Sequence, residues 1–149
     1  MKRFLYLDSS IIASLAVRDS EREKKIFKSI ETYEHTGSSE ISVVECQSGI
    51  SFQYAKDSEL RLYAEQNLNR IIASLSLYSV NSLVLGHARS LVKQYRSTIG
   101  LRTLDSIHLS TANLVQQSLK EDGLTMEYLT GDKRQHEAFT AEGFLGYLL

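Results

Sequence analysis

Four acidic residues stand where predicted strands end or predicted helices begin: Asp8, Glu45, Asp105 and Asp132. Three of them follow predicted strands, and Asp105 opens a predicted helix that leads to the last of those strands. In open parallel sheets, ligands bind in the crevice bordered by the carboxyl ends of the strands. We therefore expect three of these carboxylates at one rim of the sheet, with Asp105 beside them if its helix starts at that rim.

Each aspartate taken singly has a simpler explanation, because a carboxylate at a helix N-terminus stabilises the helix by about 0.5–2 kcal/mol. A cluster would be different, since two carboxylates about 4 Å apart repel each other by roughly 4 kcal/mol at an effective dielectric constant near 20. Clustered acids need a cation, and oxygen ligands without a Cys or His arrangement favour Mg²⁺ or Mn²⁺. Such a site is suited to phosphodiester hydrolysis, because the ion polarises the phosphoryl group and activates water.

Two hydroxyl side chains accompany the acids. Ser10 lies two residues after Asp8, and Thr130 lies two residues before Asp132. Both side chains are predicted to orient carboxylates or water. Alternatively, each is an ordinary hydroxyl near a helix N-terminus. We interpret His108 as a packed, hydrogen-bonded residue, because hard cations prefer oxygen ligands.

Three basic residues near the acids are candidate ligands of the phosphates of a polyanion: Arg102, Lys133 and Arg134. Their alternative role is that of solvated surface charges. The chain has 17 Lys and Arg against 18 Asp and Glu, for a formal net charge of −1. A polyanion would therefore have to be held by such a local basic patch, because the overall charge does not attract it.

Strands and helices are predicted to alternate along the chain. The predicted strands are Arg3–Leu7, Glu40–Glu45, Ser76–Val80, Thr125–Thr130 and, at the edge, Gly143–Leu149. The predicted helices include one with a Ser20–Glu23 capping box, one over Ser58–Ala73, and three that start at Asn81, Asp105 and Asp132. The strands are compact apolar runs, which indicates a parallel sheet covered on both faces. The predicted fold is α/β, with three α/β/α layers around a mostly parallel sheet of four to five strands.

Length and composition agree with one ordinary domain. The chain has 149 residues, of which 42% are hydrophobic, and we predict a single domain over residues 1–149. Its one cysteine, Cys46, excludes an internal disulfide. The apolar run before Asp8 is too short for a signal peptide or a membrane span. A cytoplasmic location without membrane attachment is expected.

The chain resembles the PIN-domain ribonucleases, and within them the VapC-type toxins of prokaryotic toxin–antitoxin pairs. Four ordered stretches carry the resemblance: "LYLDSSIIASL", "SVVE", "LRTLDSIHLSTA" and "YLTGDKRQHEAF". The first and third are the most specific, and together the four span the chain from end to end.

The resemblance implies an acidic pocket that holds Mg²⁺ or Mn²⁺ and cleaves single-stranded or looped RNA. It places the family's acids on Asp8, Glu45, Asp105 and Asp132, and their accompanying hydroxyls on Ser10 and Thr130. It also implies the toxin role in a type II, VapBC-like pair. The expected partners are then RNA, a second copy of the chain, and a small antitoxin whose C-terminal segment covers the pocket.

Two other classes of function compete with this reading. Phosphoryl transfer to Asp8 would require, in enzymes of the haloacid-dehalogenase type, a second Asp where Ser10 stands. Response-regulator receivers would require an Asp where Asn81 stands. The remaining alternative is a non-catalytic PIN-like module that binds RNA or protein, for which the absence of divalent-ion binding would be the discriminating result.

Overall fold

Five strands form one parallel sheet in the computed structural model, which describes residues 2–18 and 20–149. In chain order they are β1 (Arg3–Leu7), β2 (His35–Ser39), β3 (Ser76–Tyr78), β4 (Thr125–Thr130) and β5 (Leu145–Leu148). Their order across the sheet is β3-β2-β1-β4-β5, and each neighbouring pair runs parallel. The predicted α/β fold with a central parallel sheet is confirmed.

Seven helices in the described part of the chain cover the two faces of this sheet. They are α1 (Ser9–Ala16), α2 (Ser20–Ile30), α3 (Ile41–Gln53), α4 (Ser58–Ser74), α5 (Ser82–Tyr95), α6 (Thr103–Glu121) and α7 (Lys133–Ala141). The Ser20 side chain is not described, so the predicted Ser20–Glu23 capping box lies outside the described residues. None of these helices is both long and apolar enough to cross a bilayer.

Strand β1 divides the core into two halves because alternate side chains point to opposite faces of a strand. Phe4 and Tyr6 belong to the cluster that also contains core residues of α5, α6 and α7. Leu5 and Leu7 belong to the cluster formed with α1, α2, α3 and α4. The sheet is thus covered on both faces by helices, which accounts for the compact apolar character of β1 and β4.

The second predicted strand was misplaced. The β-branched stretch Glu40–Glu45 was predicted as a strand, but residues from Ile41 onward form α3, and the strand is the preceding polar segment His35–Ser39. Hydrogen bonds explain the burial of this polar strand: the Ser38 hydroxyl donates to the Leu7 carbonyl at 2.5 Å, and the Ser39 amide donates to the Tyr6 hydroxyl at 3.2 Å. Tertiary contacts therefore override β propensity here.

Other boundaries differ by small amounts. The third strand ends at Tyr78 rather than Val80, and the edge strand β5 begins at Leu145 rather than Gly143. Helix α6 begins at Thr103, so Asp105 is its third residue and not its opening residue. The predicted caps Asn81 and Asp132 both accept backbone amide hydrogen bonds at the starts of α5 and α7.

Gly37, in the middle of β2, has no space for a side chain. A Cβ at this position would lie 2.5 Å from Cζ of Phe4 and 2.7 Å from the backbone oxygen of Ser76. We expect Gly37→Ala to lower the free energy of unfolding by about 1–3 kcal/mol, because neighbouring strands must shift. Denaturant unfolding of the purified variant measures this change.

Gly49→Ala is the matched control for this prediction. Nothing lies within 4 Å of a Cβ at Gly49, which is in the middle of α3. Alanine is favoured over glycine inside a helix by about 0.5–1 kcal/mol, so this variant is expected to be stabilised. Equal stability of the two variants would contradict the close packing of β2 between its neighbours.

Candidate active site

Asp8 follows the carboxyl end of β1 and caps helix α1. Its Oδ1 accepts hydrogen bonds from the Ser10 hydroxyl at 2.6 Å and the Ile11 amide at 3.3 Å, and its Oδ2 accepts one from the Thr130 hydroxyl. Burial raises the pKa of the Asp8 carboxyl, while the hydrogen bonds from the two hydroxyls act in the opposite direction. A buried carboxylate held by neutral donors favours a cation nearby.

The end of β4 joins Asp8 to Asp132. Thr130 is buried, donates to Asp8, and accepts a hydrogen bond from the Asp132 amide at 3.0 Å. The Gly131 amide donates to the Ser10 hydroxyl at 2.8 Å. Ser10 and Thr130 therefore hold the Asp8 carboxylate against the loop that leads into α7.

Asp132 and Asp105 are bridged by one arginine. Oδ1 of Asp132 caps α7 by accepting from the Arg134 amide at 2.8 Å and the Gln135 amide at 3.1 Å. Oδ2 of Asp132 accepts from Nη2 of Arg102 at 2.9 Å. Arg102 also donates to Oδ2 of Asp105, through Nε at 3.0 Å and its backbone amide at 3.2 Å. Arg102 is the N-cap residue of α6, so this pairing links the starts of α6 and α7.

Glu45 lies in the second turn of α3 and contacts His108. Its Oε1 is 2.7 Å from Nε2 of His108, and Nδ1 of the same ring is 2.9 Å from the Tyr6 hydroxyl. The Tyr6 oxygen already accepts the Ser39 amide, so its hydroxyl hydrogen can be donated to Nδ1. In the neutral ring this leaves the proton on Nε2, which donates to Glu45 and fixes its orientation.

Direct contacts thus join three of the four predicted acids, in the order Asp8, Thr130, Asp132, Arg102, Asp105. Glu45 joins them less directly. It lines a pocket of about 310 Å³ together with Arg102, Thr103, Leu104 and Asp105. Burial raises the pKa of the Cys46 thiol to about 12, and the charges of Glu45 and Asp8 both contribute to this shift.

The predicted basic residues lie on the other side of Asp132. A second pocket, of about 340 Å³, is lined by Ile99, Arg102, Asp132, Lys133, Arg134 and Glu137. Arg102 lines both pockets, so it separates the space beside Glu45 and Asp105 from the space beside Lys133 and Arg134.

Sequence reasoning missed three contributions to this region. His108 was interpreted as a packed residue, which it is, but its partner Glu45 was not foreseen. Gln135 is buried and donates through Nε2 to the Asp105 carbonyl at 3.3 Å, tying α7 to α6. Arg22 of α2 lies directly over Gly131, where a larger residue would collide with its guanidinium. Only the position of His108 one turn after Asp105 offered a signal in the sequence.

The donor atoms of the four acids are chemically suited to a divalent cation. Among residues 2–18 and 20–149, no three His, Cys, Asp or Glu side chains are grouped closely enough to hold a metal ion. The oxygen donors of the four acids are nevertheless those that Mg²⁺ and Mn²⁺ prefer, and burial of Asp8 raises its pKa as expected for a carboxylate short of a cation. The cation that stands between Asp105 and Asp132 is the Arg102 guanidinium.

A family model for the PIN domain matches residues 5–138. The chain belongs to the PIN domain family. No curated protein matches it in a sequence search.

Solved structures share its fold at low sequence identity. A toxin–antitoxin complex from Klebsiella pneumoniae is 16% identical with a TM-score of 0.67, covering 97% of this chain and 99% of that chain. FitAcB from Neisseria gonorrhoeae is 16% identical with a TM-score of 0.63 and 96% coverage of both chains. VapBC2 from Rickettsia felis, bound to a DNA fragment from their promoter, is 12% identical with a TM-score of 0.63 and 98% coverage of both chains. At these identities the likeness concerns the fold.

Proposed function

We propose that this chain is a metal-dependent endoribonuclease that hydrolyses RNA phosphodiester bonds. The observation that carries the proposal is the line of direct contacts from Asp8 through Thr130, Asp132 and Arg102 to Asp105 at the carboxyl rim of the sheet. Membership of the PIN domain family supports nuclease chemistry at this rim. The proposed ligands of Mg²⁺ or Mn²⁺ are Asp8, Glu45, Asp105 and Asp132.

The bound ion would supply Lewis acidity at the phosphoryl group and lower the pKa of a bound water. Ser10 and Thr130 keep the Asp8 carboxylate in one orientation by donating to both of its oxygens. His108 orients Glu45 by donating through Nε2 to one of its two oxygens. Each of these contacts limits the rotation of an acid before substrate arrives, which is how neighbouring residues support a reacting site.

RNA phosphates are proposed to lie in the second pocket, beside Arg102, Lys133 and Arg134. All three line this pocket. Arginine and lysine form charge-assisted hydrogen bonds with phosphate oxygens, and these contacts supply much of the affinity of proteins for nucleic acids. A local basic patch is what a chain with a formal net charge of −1 needs to bind RNA.

The proposed biological role is the toxin of a type II, VapBC-like pair. The sequence motifs resemble those of VapC-type toxins, and the similar solved structures include toxin–antitoxin complexes. In this role the partners are a small antitoxin and a second copy of the chain, and the protein acts in the cytoplasm. Large apolar side chains on α3 and α5, including Val44, Phe52 and Leu83, are exposed and offer surface for such partners.

A non-catalytic PIN-like module that binds RNA or protein is the second candidate function. The observation in its favour is that the Arg102 guanidinium pairs with both Asp105 and Asp132, which are two of the proposed metal ligands. The two candidates make opposite predictions in one assay, because a binding module would retain RNA without cutting it in any divalent cation.

The test is incubation of the purified protein with labelled single-stranded RNA in Mn²⁺, in Mg²⁺ and in EDTA. We expect cleavage with either cation and none in EDTA. Because water rather than the RNA 2′-hydroxyl is the proposed nucleophile, the products should lack a 2′,3′-cyclic phosphate. That signature separates the reaction from contaminating metal-independent ribonucleases. Cleavage that is equally fast in EDTA would contradict the proposal.

A further inference from the structure

Arg102 occupies a position between two carboxylates of the candidate site. Its guanidinium donates to Asp105 at 3.0 Å and to Asp132 at 2.9 Å, so one positive charge forms ion pairs with two carboxylates. These two acids would otherwise repel each other in a partly buried setting.

We propose that Arg102 is a built-in counter-ion of the acidic site, which bridges Asp105 and Asp132 in the metal-free protein and leaves them when a divalent cation binds. This inference rests on the proposed metal-dependent function. A bound cation would need oxygens of the same two carboxylates and would repel the guanidinium, so the two positive charges would compete for this position. Metal affinity is therefore set partly by competition with a residue of the chain itself.

Two features allow Arg102 to leave without disrupting the fold. Its side chain is 55% exposed, whereas that of Asp105 is 12% exposed, so the guanidinium approaches the acids from the solvent side. The backbone amide of Arg102 donates to Asp105 independently of the side chain, at 3.2 Å. The capping contact at the start of α6 is thus retained when the guanidinium moves.

The second pocket provides a place for the displaced guanidinium. Arg102 already lines it together with Lys133 and Arg134. A guanidinium released from Asp105 and Asp132 would add a third donor of phosphate contacts there. Metal binding and RNA binding would consequently support each other, since the cation frees a phosphate ligand.

The direct test is calorimetric titration of Mn²⁺ into the metal-free wild-type and Arg102→Gln proteins, without RNA. Removing the competing charge should tighten Mn²⁺ binding at least about tenfold, as expected for a unit charge within a few ångströms of a cation. Arg102→Lys, which keeps the charge but not the two-pronged guanidinium, should fall between the two. The metal-free Arg102→Gln protein should also melt at a lower temperature, and Mn²⁺ should raise that temperature by more than in the wild type.

Arg134→Gln is the matched control, because it removes the same charge from the same pocket. The Arg134 contact to Asp132 uses the backbone amide, which this substitution leaves in place. Its Mn²⁺ affinity should stay within about threefold of the wild type, since in the described part of the chain it is the Arg102 guanidinium, and not that of Arg134, that pairs with Asp105 and Asp132.

The outcomes separate the inference from the proposed function. Equal or weaker Mn²⁺ binding by Arg102→Gln, or equal tightening by Arg134→Gln, would overturn the counter-ion role while leaving a wild-type protein that binds Mn²⁺ and cleaves RNA. If Arg102→Gln does not fold, Arg102→Lys decides by the same criterion. Failure of the wild type and every variant to bind Mn²⁺ would overturn both the inference and the proposed function.

Discussion

Asp8→Asn is expected to abolish RNA cleavage while leaving the protein folded. Asparagine has nearly the same shape, remains a good helix cap, and can still accept from Ser10 and Ile11. It lacks the charge that holds a cation, whose contribution to phosphoryl chemistry is several kcal/mol. We expect the cleavage rate in Mn²⁺ to fall at least about a thousandfold, which corresponds to roughly 4 kcal/mol. Initial rates on labelled RNA measure the loss.

The same substitution should stabilise the metal-free protein near pH 7. Burial raises the pKa of Asp8 in the folded state, so its contribution to stability is largest below its unfolded pKa and is lost as the pH rises through the folded pKa. At neutral pH the buried charge is destabilising, and the asparagine avoids it. The melting temperature of Asp8→Asn should exceed that of the wild type, by roughly 2–4 °C for each kcal/mol gained. The difference should shrink as the pH falls towards 4.

Asp57→Asn is the matched control for both effects. Asp57 caps α4 by accepting from the Leu60 amide at 3.0 Å and is exposed, so its charge is solvated. This variant should cleave RNA at the wild-type rate and melt within about a degree of the wild type. Full activity of Asp8→Asn would show that Asp8 is not part of the reacting site. A melting temperature of Asp8→Asn below that of the wild type at pH 7 would contradict the destabilising effect of burying the Asp8 charge.

His108→Leu should lower both activity and stability. The substitution removes the hydrogen bond that orients Glu45, and it leaves the hydrogen of the buried Tyr6 hydroxyl without its acceptor, while the Tyr6 oxygen still accepts the Ser39 amide. Loss of a group that orients a metal ligand typically reduces activity about 10–100-fold. The buried hydroxyl hydrogen without an acceptor should cost about 1–3 kcal/mol of unfolding free energy. Cleavage is measured well below the melting temperature, so that only folded protein is compared.

A second tyrosine–histidine pair supplies the control for this prediction. The Tyr128 hydroxyl lies 2.7 Å from Nδ1 of His136, in a contact that involves none of the four acids. His136→Leu should lose less stability, because the Tyr128 hydroxyl keeps the His136 carbonyl and the Thr140 hydroxyl as partners, and it should retain wild-type cleavage. His108→Gln, whose amide can still donate to Glu45, should recover part of the activity lost in His108→Leu. Equal activity of His108→Leu and His136→Leu would show that the role of His108 is purely structural.

The parts of the fold that sequence predicted best are those determined locally. Strands β1 and β4 were predicted at their observed boundaries because each is a compact apolar run that ends beside an aspartate. Strand β2 was misplaced because its burial depends on contacts with β1, made through Ser38 and Ser39. Neither contact leaves a periodic pattern, and Gly37 within the strand is ordinarily the mark of a turn.

In the candidate site, too, the locally determined features were predicted and those that depend on tertiary contacts were not. Asp8 and Asp132 were predicted at helix starts, and each caps the helix that follows it. The pairing of Arg102 with Asp132 and that of His108 with Glu45 were not predictable, because these partners lie 30 and 63 residues apart in the sequence. Sequence motifs indicate which residues share a site. The pairing between charges depends on how the helices pack, and only the three-dimensional arrangement reveals that Arg102 stands between two of the acids.

The proposed chemistry requires that the acids at the carboxyl rim of the sheet hold a divalent cation. Anomalous scattering from crystals soaked in Mn²⁺ is the decisive measurement, because the peak locates the ion without reference to activity. We expect a peak in contact with Asp8 and at least one of the other three acids, with the Arg102 guanidinium moved away from Asp105 and Asp132. A crystal saturated with Mn²⁺ that shows no peak at this rim, with Arg102 still bridging the two aspartates, would contradict it.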